Sequence, residues 1–261
     1  MPPEILAAAP ESPWGCPVEL FRSRAQRAGS GEPTPTTVRA LEGLPERGTV
    51  LDVGCGAGAT SLPLAERAGA FVGVDTSPEM ASAFRDAVQP LERDVATIEG
   101  GWPEVASSAP EVDVVVCGHV LYNVQDVVPF VRALDDHARR RTVVELTERH
   151  PLQWMNDLWR RFHDVVFPDG PTADVAERVL RDVGLAVLRE QRTTDRGRGH
   201  GGFERREDAV ALIRRRLCLP AERDGEIAVA LGDRLVQDDE GLWSAGPADQ
   251  TVVTLWWDAV R

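Results

Sequence analysis

The fold is decided by residues 49–80, which read TVLDVGCGAGATSLPLAERAGAFVGVDTSPEM. The short, largely apolar run at residues 50–53 is typical of a strand buried in a parallel sheet. A glycine-rich turn follows it, and a second apolar run at residues 71–74 ends at Asp75. The order of strand, glycine turn, helix, strand and acid predicts a βαβ unit, with its helix near residues 59–68.

Three glycines in this turn, Gly54, Gly56 and Gly58, occupy alternate positions. Glycine lets the backbone turn sharply and approach a ligand closely, because it has no Cβ. The N-terminus of the following helix is expected to point at whatever lies in the turn. The carboxylate of Asp75, at the end of the next strand, can accept hydrogen bonds from the two hydroxyls of a ribose. Together these features predict an adenosine-binding corner.

Two classes of adenosine cofactor fit the glycines. Gly54, Gly56 and Ala59 satisfy the G-x-G-x-x-A form of a dinucleotide site. Asp52 and the third glycine, Gly58, complete the pattern D-x-G-x-G-x-G, which resembles the first motif of the class I S-adenosylmethionine-dependent methyltransferases. A carboxylate near the turn also suits a cationic sulfonium better than a pyrophosphate.

The resemblance implies that S-adenosylmethionine is the cofactor and that Asp75 holds its ribose. It also implies that the turn lies against the methionine part of the cofactor, through Asp52, Gly54, Cys55, Gly56 and Gly58.

The stretch 75–80, DTSPEM, resembles the second motif of the same family, D-x-S-x-x-M. Ser77 is a favourable N-cap, and Pro78 falls at the first helical position, where its missing N–H does no harm. By resemblance, Thr76 lies in the cofactor site. Met80 can offer a soft, apolar contact to the adenine.

The exit of the predicted third strand contains Gly101 and Trp102, which the resemblance places in the cofactor site. Many members of the family carry an Asp near Gly101 that binds the adenine amino group. This chain has no acid at that position, so the contact is expected from the backbone or from another side chain.

Residues 112–122 resemble the fourth strand and fourth motif of the family. His119 follows this strand directly, and it is both a predicted cofactor contact and the best-placed candidate for a catalytic base, since imidazole titrates near neutral pH. The alternative is that His119 only contacts the cofactor or shapes the pocket. Tyr122, the single tyrosine, is the second catalytic candidate and could orient the acceptor of the methyl group.

Further candidates follow the predicted fifth strand. His150 and His163 are second-rank bases, and each is more simply explained as a structural residue. Glu145 and Glu148 could hold a cationic or amine acceptor. The sequence offers no carboxylate cluster of the kind that a metal-dependent O-methyltransferase needs, so we predict no metal.

The rest of the chain alternates strands and helices, which predicts an α/β, doubly wound and mostly parallel sheet. Strands are expected near residues 49–53, 71–75, 94–98, 112–117, 141–147, 185–190 and 251–257. Helices are expected near residues 59–68, 78–88, 126–138 and 172–183. The resemblance implies the seven-stranded, Rossmann-like methyltransferase fold with an antiparallel last strand and helical insertions.

The predicted domain organisation is an N-terminal segment, 1–36, followed by a methyltransferase domain, 37–261. In the segment, a helix within residues 13–30 that includes Trp14 either closes over the cofactor as a lid or only packs. Cap insertions are expected near 150–171 and 192–249, the second with a polar, glycine-rich start and helices near 205–217 and 221–236. Aromatic residues in the first insertion either wall a substrate pocket or cover the sheet.

Composition limits the partners. The formal net charge is −13, which opposes the clustered positive charge that nucleic-acid binding requires. The cysteines, Cys16, Cys55, Cys117 and Cys218, match no metal or redox spacing, and they suit a reducing, cytoplasmic location. No signal peptide or membrane-spanning run is apparent. We therefore expect a small-molecule substrate and neither nucleic acid nor a membrane as partner.

The sequence thus predicts methyl transfer from S-adenosylmethionine to a small molecule, with the N, O or C target atom open. Two alternatives stand beside it: a cofactor-binding regulatory protein without transferase activity, and an NAD-dependent oxidoreductase.

Overall fold

The computed structural model describes residues 1–13, 15, 17–195, 202–247 and 249–259 of the 261-residue chain. The strands are β1 Gly48–Val53, β2 Ala68–Asp75, β3 Asp94–Glu99, β4 Val112–Gly118, β5 Ala138–Thr147, β6 Leu188–Asp195, β7 Leu235–Gln237, β8 Trp243–Ala245 and β9 Asp249–Asp258. The α-helices are α1 Pro3–Ala8, α2 Val18–Ser30, α3 Pro35–Gly43, α4 Pro78–Val88, α5 Val127–His137, α6 Asn156–His163, α7 Ala173–Asp182, α8 Arg206–Arg216 and α9 Asp224–Leu231.

Seven of the described strands form one sheet in the order β3-β2-β1-β4-β5-β9-β6. Strand β1 is parallel to both of its neighbours, with Val50 opposite Phe71 of β2 and Val114 of β4. Strand β9 is antiparallel to β5, with Leu255 opposite Val144. The predicted mostly parallel sheet with an antiparallel last strand is therefore confirmed. Its parallel strands β1, β2 and β4 bring their carboxyl ends to one edge, where ligands bind in folds of this type.

Alternate residues of the central strands enter two different hydrophobic cores. In β4, Val115 and Cys117 pack with α5 and α7, whereas Val114 and Val116 pack with α3 and α4. All four side chains are fully buried. Helices therefore cover both faces of the sheet, which explains why these strands are apolar on both sides rather than alternating.

The predicted helix near residues 59–68 is wrong. In its place the chain forms turns and one short 3₁₀ segment, Leu62–Leu64, before β2 begins at Ala68. Pro63 lies inside this segment, and a proline there removes a backbone donor and clashes with the preceding turn of an α-helix. No α-helix N-terminus therefore points at the glycine turn from this stretch.

Other boundaries differ less. Helix α4 has the predicted bounds, but the strand expected near 185–190 begins three residues later, at Leu188, because the chain still turns after Gly184. The helix expected near 221–236 ends at Leu231, and the residues that follow form the β7–β8 hairpin.

Residues 1–20, 151–170 and 194–250 form a compact unit separate from the one that contains the sheet. Its core is built by α6, α8 and α9 and includes Leu158, Trp159, Ile213 and Ile227. The aromatic residues of the first insertion thus pack within this core. Trp14, Cys16 and residues 196–201 of the predicted polar stretch lie outside the described residues. That the insertions cap the site, and that the N-terminal segment acts as a lid, stay predictions. Across the described ranges, no helix is long and apolar enough to cross a membrane.

Candidate functional site

The glycine turn bends back on itself at the carboxyl end of β1. Gly54, Gly56 and Gly58 have φ angles of 75°, 50° and 94°, a region that side chains with a Cβ adopt only at a cost. The N–H groups of Gly54 and Cys55 both donate to the carbonyl of Val74 on β2, at 2.8 and 3.0 Å. These bonds join the turn to the adjacent strand, and the N–H of Gly58 donates back to the carbonyl of Cys55 at 2.8 Å.

Asp75 is tied to the turn through both of its carboxylate oxygens. Its Oδ2 accepts from the N–H of Gly56 and its Oδ1 from the N–H of Ser77, each at 2.9 Å. An ionised carboxylate has about four acceptor positions, so each oxygen can still accept one more hydrogen bond. This geometry can hold a pair of neighbouring hydroxyls. We call the turn 54–58, with Asp52 and Asp75, the glycine corner.

Asp52 lies beneath the glycine corner and is 1% exposed. Its Oδ2 accepts from the Ser61 hydroxyl, whereas its Oδ1 has no hydrogen-bond partner among the residues that the structure describes. Burial raises the pKa of Asp52 to about 7; the Ser61 bond opposes this shift, and the charge of Asp75 adds to it. An unpaired buried carboxylate favours a positive charge nearby.

The helix that follows β2 begins as its sequence predicts. Ser77 accepts from the N–H of Met80 at 3.3 Å, and Pro78 is the first helical residue of α4. Thr76 is exposed and Met80 is partly exposed beside the corner. Their contact with a cofactor stays a prediction.

Trp102 follows the exit of β3 and is largely buried. Its indole is 9% exposed, packs edge-on against His137 and donates to the carbonyl of Phe130 at 3.2 Å. These contacts give it a structural role, and a contact with the cofactor stays untested. A Cβ on Gly101 would lie 3.1 Å from Oε2 of Glu104. Sequence reasoning missed Glu104, whose exposed carboxylate lies close to Gly101.

The loop after β4 lies directly against the glycine corner. A Cβ on Gly54 would be 2.2 Å from Cγ2 of Val120, and one on Gly118 would be 2.3 Å from Oγ1 of Thr60. The neighbouring residue, His119, has a φ of 59° and donates its backbone N–H to the carbonyl of Glu145 at 2.7 Å. The loop therefore presents His119 beside the corner from a constrained backbone.

The His119 side chain joins a hydrogen-bonded group that we call the His119 cluster, consisting of His119, Tyr122, Glu145 and Thr36. Nε2 of His119 lies 3.1 Å from Oε1 of Glu145, and Nδ1 lies 2.5 Å from the Tyr122 hydroxyl. The Thr36 hydroxyl donates to Oε2 of Glu145 at 2.5 Å. The two catalytic candidates from the sequence, His119 and Tyr122, are thus in contact. Glu145 and Thr36, to which the sequence assigned no catalytic role, belong to the same group.

Glu145 is held in its ionised form by this cluster. Burial alone would raise the pKa of Glu145, but the bond from His119 and its charge, the bond from Thr36 and the charge of Arg192 outweigh burial and hold the pKa below its usual value. Both carboxylate oxygens thus have partners within the protein, and a role for Glu145 in holding an amine acceptor stays a prediction. An acid in the otherwise apolar run Val143–Leu146 was the signal that could have marked its role.

The remaining candidates have structural contacts. His163 contacts the carbonyl of Leu217 through Nε2, at 2.6 Å. His150 packs edge-on against Tyr122, and burial lowers its pKa. Burial also raises the pKa of the Cys55 and Cys117 thiols, which keeps both uncharged at neutral pH. Over the described part of the chain, no group of three or more His, Cys, Asp or Glu side chains is arranged to hold a metal ion.

Residues 50–140 match a family model described as a methyltransferase domain. A 2-heptyl-1-hydroxyquinolin-4(1H)-one methyltransferase from Mycobacteroides abscessus is 40% identical over 76 residues, which are 29% of this chain and 26% of that protein. The match therefore spans about a quarter of the curated relative.

Solved structures share the fold at low identity. The YcgJ protein of Bacillus subtilis has a TM-score of 0.54 and 18% identity, over 87% of this chain and 98% of that one. A magnesium protoporphyrin IX methyltransferase from Synechocystis PCC 6803, with bound SAH, has a TM-score of 0.50 and 16% identity, over 89% of this chain and 83% of that one.

Proposed function

We propose that this chain, a member of the class I S-adenosylmethionine-dependent methyltransferases, transfers a methyl group from S-adenosylmethionine to a small-molecule acceptor. The observation that carries the proposal is the glycine corner. There Asp75 is fixed by two backbone N–H groups, with acceptor capacity left over, beside a buried Asp52 oxygen that lacks a partner among the described residues.

The residues of the corner fit this cofactor. Asp75 would accept from the two ribose hydroxyls, and Asp52 would place negative charge near a ligand that carries a sulfonium and an ammonium. Thr76, Met80 and the backbone of Gly101 would border the adenine, with Glu104 as the acceptor for its amino group. The turn at Gly54, Cys55, Gly56 and Gly58 would lie against the methionine part, with His119 alongside.

When bound, the cofactor supplies an electrophilic methyl group, whose bond to sulfur breaks with its electron pair kept by sulfur while the acceptor's lone pair forms the new bond. The protein's part is to orient the acceptor, exclude water and accept a proton where the acceptor carries one. We assign the proton-accepting role to His119, which faces both Tyr122 and Glu145. Tyr122 orients the acceptor.

The acceptor is proposed to be a small molecule, since the net charge of −13 disfavours a nucleic-acid substrate. The relative from Mycobacteroides abscessus is named for 2-heptyl-1-hydroxyquinolin-4(1H)-one, so that compound is the first acceptor to test. A reducing, cytoplasmic location is our expectation, because Cys55, Cys117 and Cys218 are buried free thiols.

Isothermal titration calorimetry with S-adenosylhomocysteine tests the cofactor assignment directly. We expect binding that NADH does not displace. Absence of binding at tens of micromolar, or displacement by NADH, would overturn the assignment. Retained binding without methylation of any compound in a broad acceptor panel would instead favour a regulatory protein that binds the cofactor without transferring the methyl group.

A further inference from the structure

The chemistry of the residues in the His119 cluster determines which atom donates in each of its hydrogen bonds. Glu145 lies on β5, adjacent to the strand that ends before His119, and its two oxygens receive His119 and Thr36. The guanidinium of Arg192 lies 4.0 Å from Oε2. These contacts keep the Glu145 carboxylate ionised, although its side chain is only 12% exposed.

An ionised carboxylate has no proton to donate, so the hydrogen between Glu145 and His119 belongs to Nε2 of the imidazole. A neutral imidazole carries one N–H, and its Nδ1 is then an unprotonated acceptor. In that neutral form the Tyr122 hydroxyl, 2.5 Å from Nδ1, is the donor in their bond. Burial raises the pKa of Tyr122 to about 12, which keeps this hydroxyl protonated.

Tyr122 connects this chain of hydrogen bonds to an apolar cavity of about 90 Å³. The cavity lies at the carboxyl end of β5, between the loop after β4 and the start of α7, and its lining includes Leu121, Tyr122, Leu146, Thr147, Ala176 and Val179. The Tyr122 oxygen donates its hydrogen to His119, and hydrogen bonds from Thr147 to this oxygen oppose the effect of burial on its pKa. A ligand hydroxyl that donates to Tyr122 would take the place of a Thr147 bond. A ligand with an apolar body and one acidic hydroxyl fits these surroundings.

We propose that Glu145 is a positioning residue that fixes His119 as the Nε2–H tautomer, and that Tyr122 and His119 form a proton path for an acceptor whose reacting atom is a hydroxyl oxygen. This inference rests on the proposed methyl transfer. Phenols, enols and N-hydroxyl compounds are the acceptor class that needs such a path, whereas a neutral amine can attack through its lone pair before it loses a proton.

In this path the acceptor's O–H bond breaks and its proton moves to the Tyr122 oxygen, while the proton of Tyr122 moves to Nδ1 of His119. Tyr122 is neutral before and after, so its high pKa is no obstacle. His119 becomes an imidazolium paired with the Glu145 carboxylate. The acceptor oxygen keeps the electron pair that then bonds the methyl carbon.

Nitrogen-15 NMR of the histidine-labelled, cofactor-free protein tests the tautomer. The chain has five histidines, and His119→Gln identifies the resonances of His119. In the wild type we expect a proton on Nε2 and an unprotonated Nδ1. In Glu145→Leu no oxygen remains to accept from Nε2, so the proton should move to Nδ1, where the Tyr122 oxygen can accept it. Glu148→Gln, which removes an exposed carboxylate from the same strand exit, should keep the wild-type tautomer.

A proton on Nδ1 in the wild type, or an unchanged spectrum in Glu145→Leu, would overturn the inference. Should Glu145→Leu fail to fold, Tyr122→Phe decides the same point. Loss of the Tyr122 donor should move the Nδ1 resonance downfield, and a resonance that stays in place refutes the path. Because no cofactor is present, failure here leaves the calorimetric test of the proposed function untouched.

Discussion

The glycine corner and the His119 cluster lie beside each other at the same sheet edge, but the chain builds them in opposite ways. In the corner, backbone N–H groups of Gly56 and Ser77 hold Asp75, and all three lie within the single stretch 56–77. In the cluster, side chains meet from α3, the β4 exit and β5, as far apart as Thr36 and Glu145. The corner is therefore specified locally, whereas the cluster exists only once the sheet is assembled.

The largest effect is expected from a substitution in the glycine corner that leaves the His119 cluster unchanged. Asp75→Ala removes the acceptor for the ribose hydroxyls, and two charge-assisted bonds of roughly 1.5–3 kcal/mol each are lost. Affinity for S-adenosylhomocysteine, measured by calorimetry, should fall by roughly 10²- to 10⁴-fold. The chain should still fold, because the sheet's pairing does not depend on this side chain.

Glu79→Ala is the matched control, since it removes an exposed acid from the same stretch. Its affinity should stay close to that of the wild type. Equal affinities for Asp75→Ala and the wild type, with circular dichroism showing both folded, would refute the ribose assignment.

Local specification explains how much of the corner could be predicted. The spacing of Asp52, the glycines and Asp75 placed a cofactor turn at the end of the first strand, and Ser77 and Pro78 marked the start of α4 at the residue observed. The helix expected after the turn failed because Pro63 prevents it. Pro63 is present in the sequence, but the order of elements in the motif favoured a helix at this position.

The cluster could be predicted only in part. The position of His119 and Tyr122 after β4 suggested catalysis, but nothing local pairs them with Thr36 or Glu145. Their meeting depends on how the carboxyl end of β4 aligns with β5 and on where α3 packs. Strand register of this kind is set by long-range packing and turn geometry. The same limit applies to Glu104, whose approach to Gly101 follows from the turn between them.

The second prediction tests whether the buried carboxyl group of Asp52 in the corner lacks a charged partner. The pKa of Asp52 is raised from its usual 3.8 to about 7, so the folded state binds this proton more tightly than the unfolded state does. Stability should therefore fall as the pH rises from about 4 to about 7, by roughly 3–5 kcal/mol from this group alone. Asp52→Asn should remove that part of the slope in urea unfolding.

Asp113→Asn is the control, because the pKa of Asp113 is shifted in the opposite direction from that of Asp52. Burial raises the pKa of Asp113, but its bonds from Thr49 and the charge of Arg139 outweigh burial and lower the pKa below 3.8. That group stabilises the fold above its unfolded pKa, and its contribution is lost as the pH falls. Parallel slopes for Asp52→Asn and the wild type would show that Asp52 has a partner in solution.

The third prediction addresses the contact between the two regions. Gly54→Ala adds a Cβ at a φ of 75°, 2.2 Å from Cγ2 of Val120. The backbone conformation costs about 1–2 kcal/mol and the overlap about 1–3 kcal/mol, so thermal unfolding should occur at a lower temperature. Adding Val120→Ala should recover only the overlap. Gly225→Ala, on α9 with open space around it, should be neutral or stabilising.

If the double variant is no more stable than Gly54→Ala alone, then Val120 does not lie against the turn, and the loop that carries His119 is not anchored to the corner. If the single variant matches the wild type, the turn itself has a different conformation. Either result would separate the two regions that the structure places side by side.

The smallest effect is expected from a substitution of Thr36, the residue of the His119 cluster that lies farthest from the others in sequence. Thr36→Val keeps the shape of a buried side chain but removes the hydroxyl that bonds Glu145 and Thr254, at 2.5 and 2.7 Å. Leaving a buried carboxylate oxygen short of a donor should lower the free energy of unfolding by about 1–3 kcal/mol. Thr142 provides the contrast, because its buried hydroxyl has no hydrogen-bond partner among the described residues. Thr142→Val should therefore be neutral or stabilising in the same urea titration. If the cluster is held together only by packing, Thr36→Val and Thr142→Val should have equal stability. If hydrogen bonds hold it together, only Thr36→Val should be destabilised.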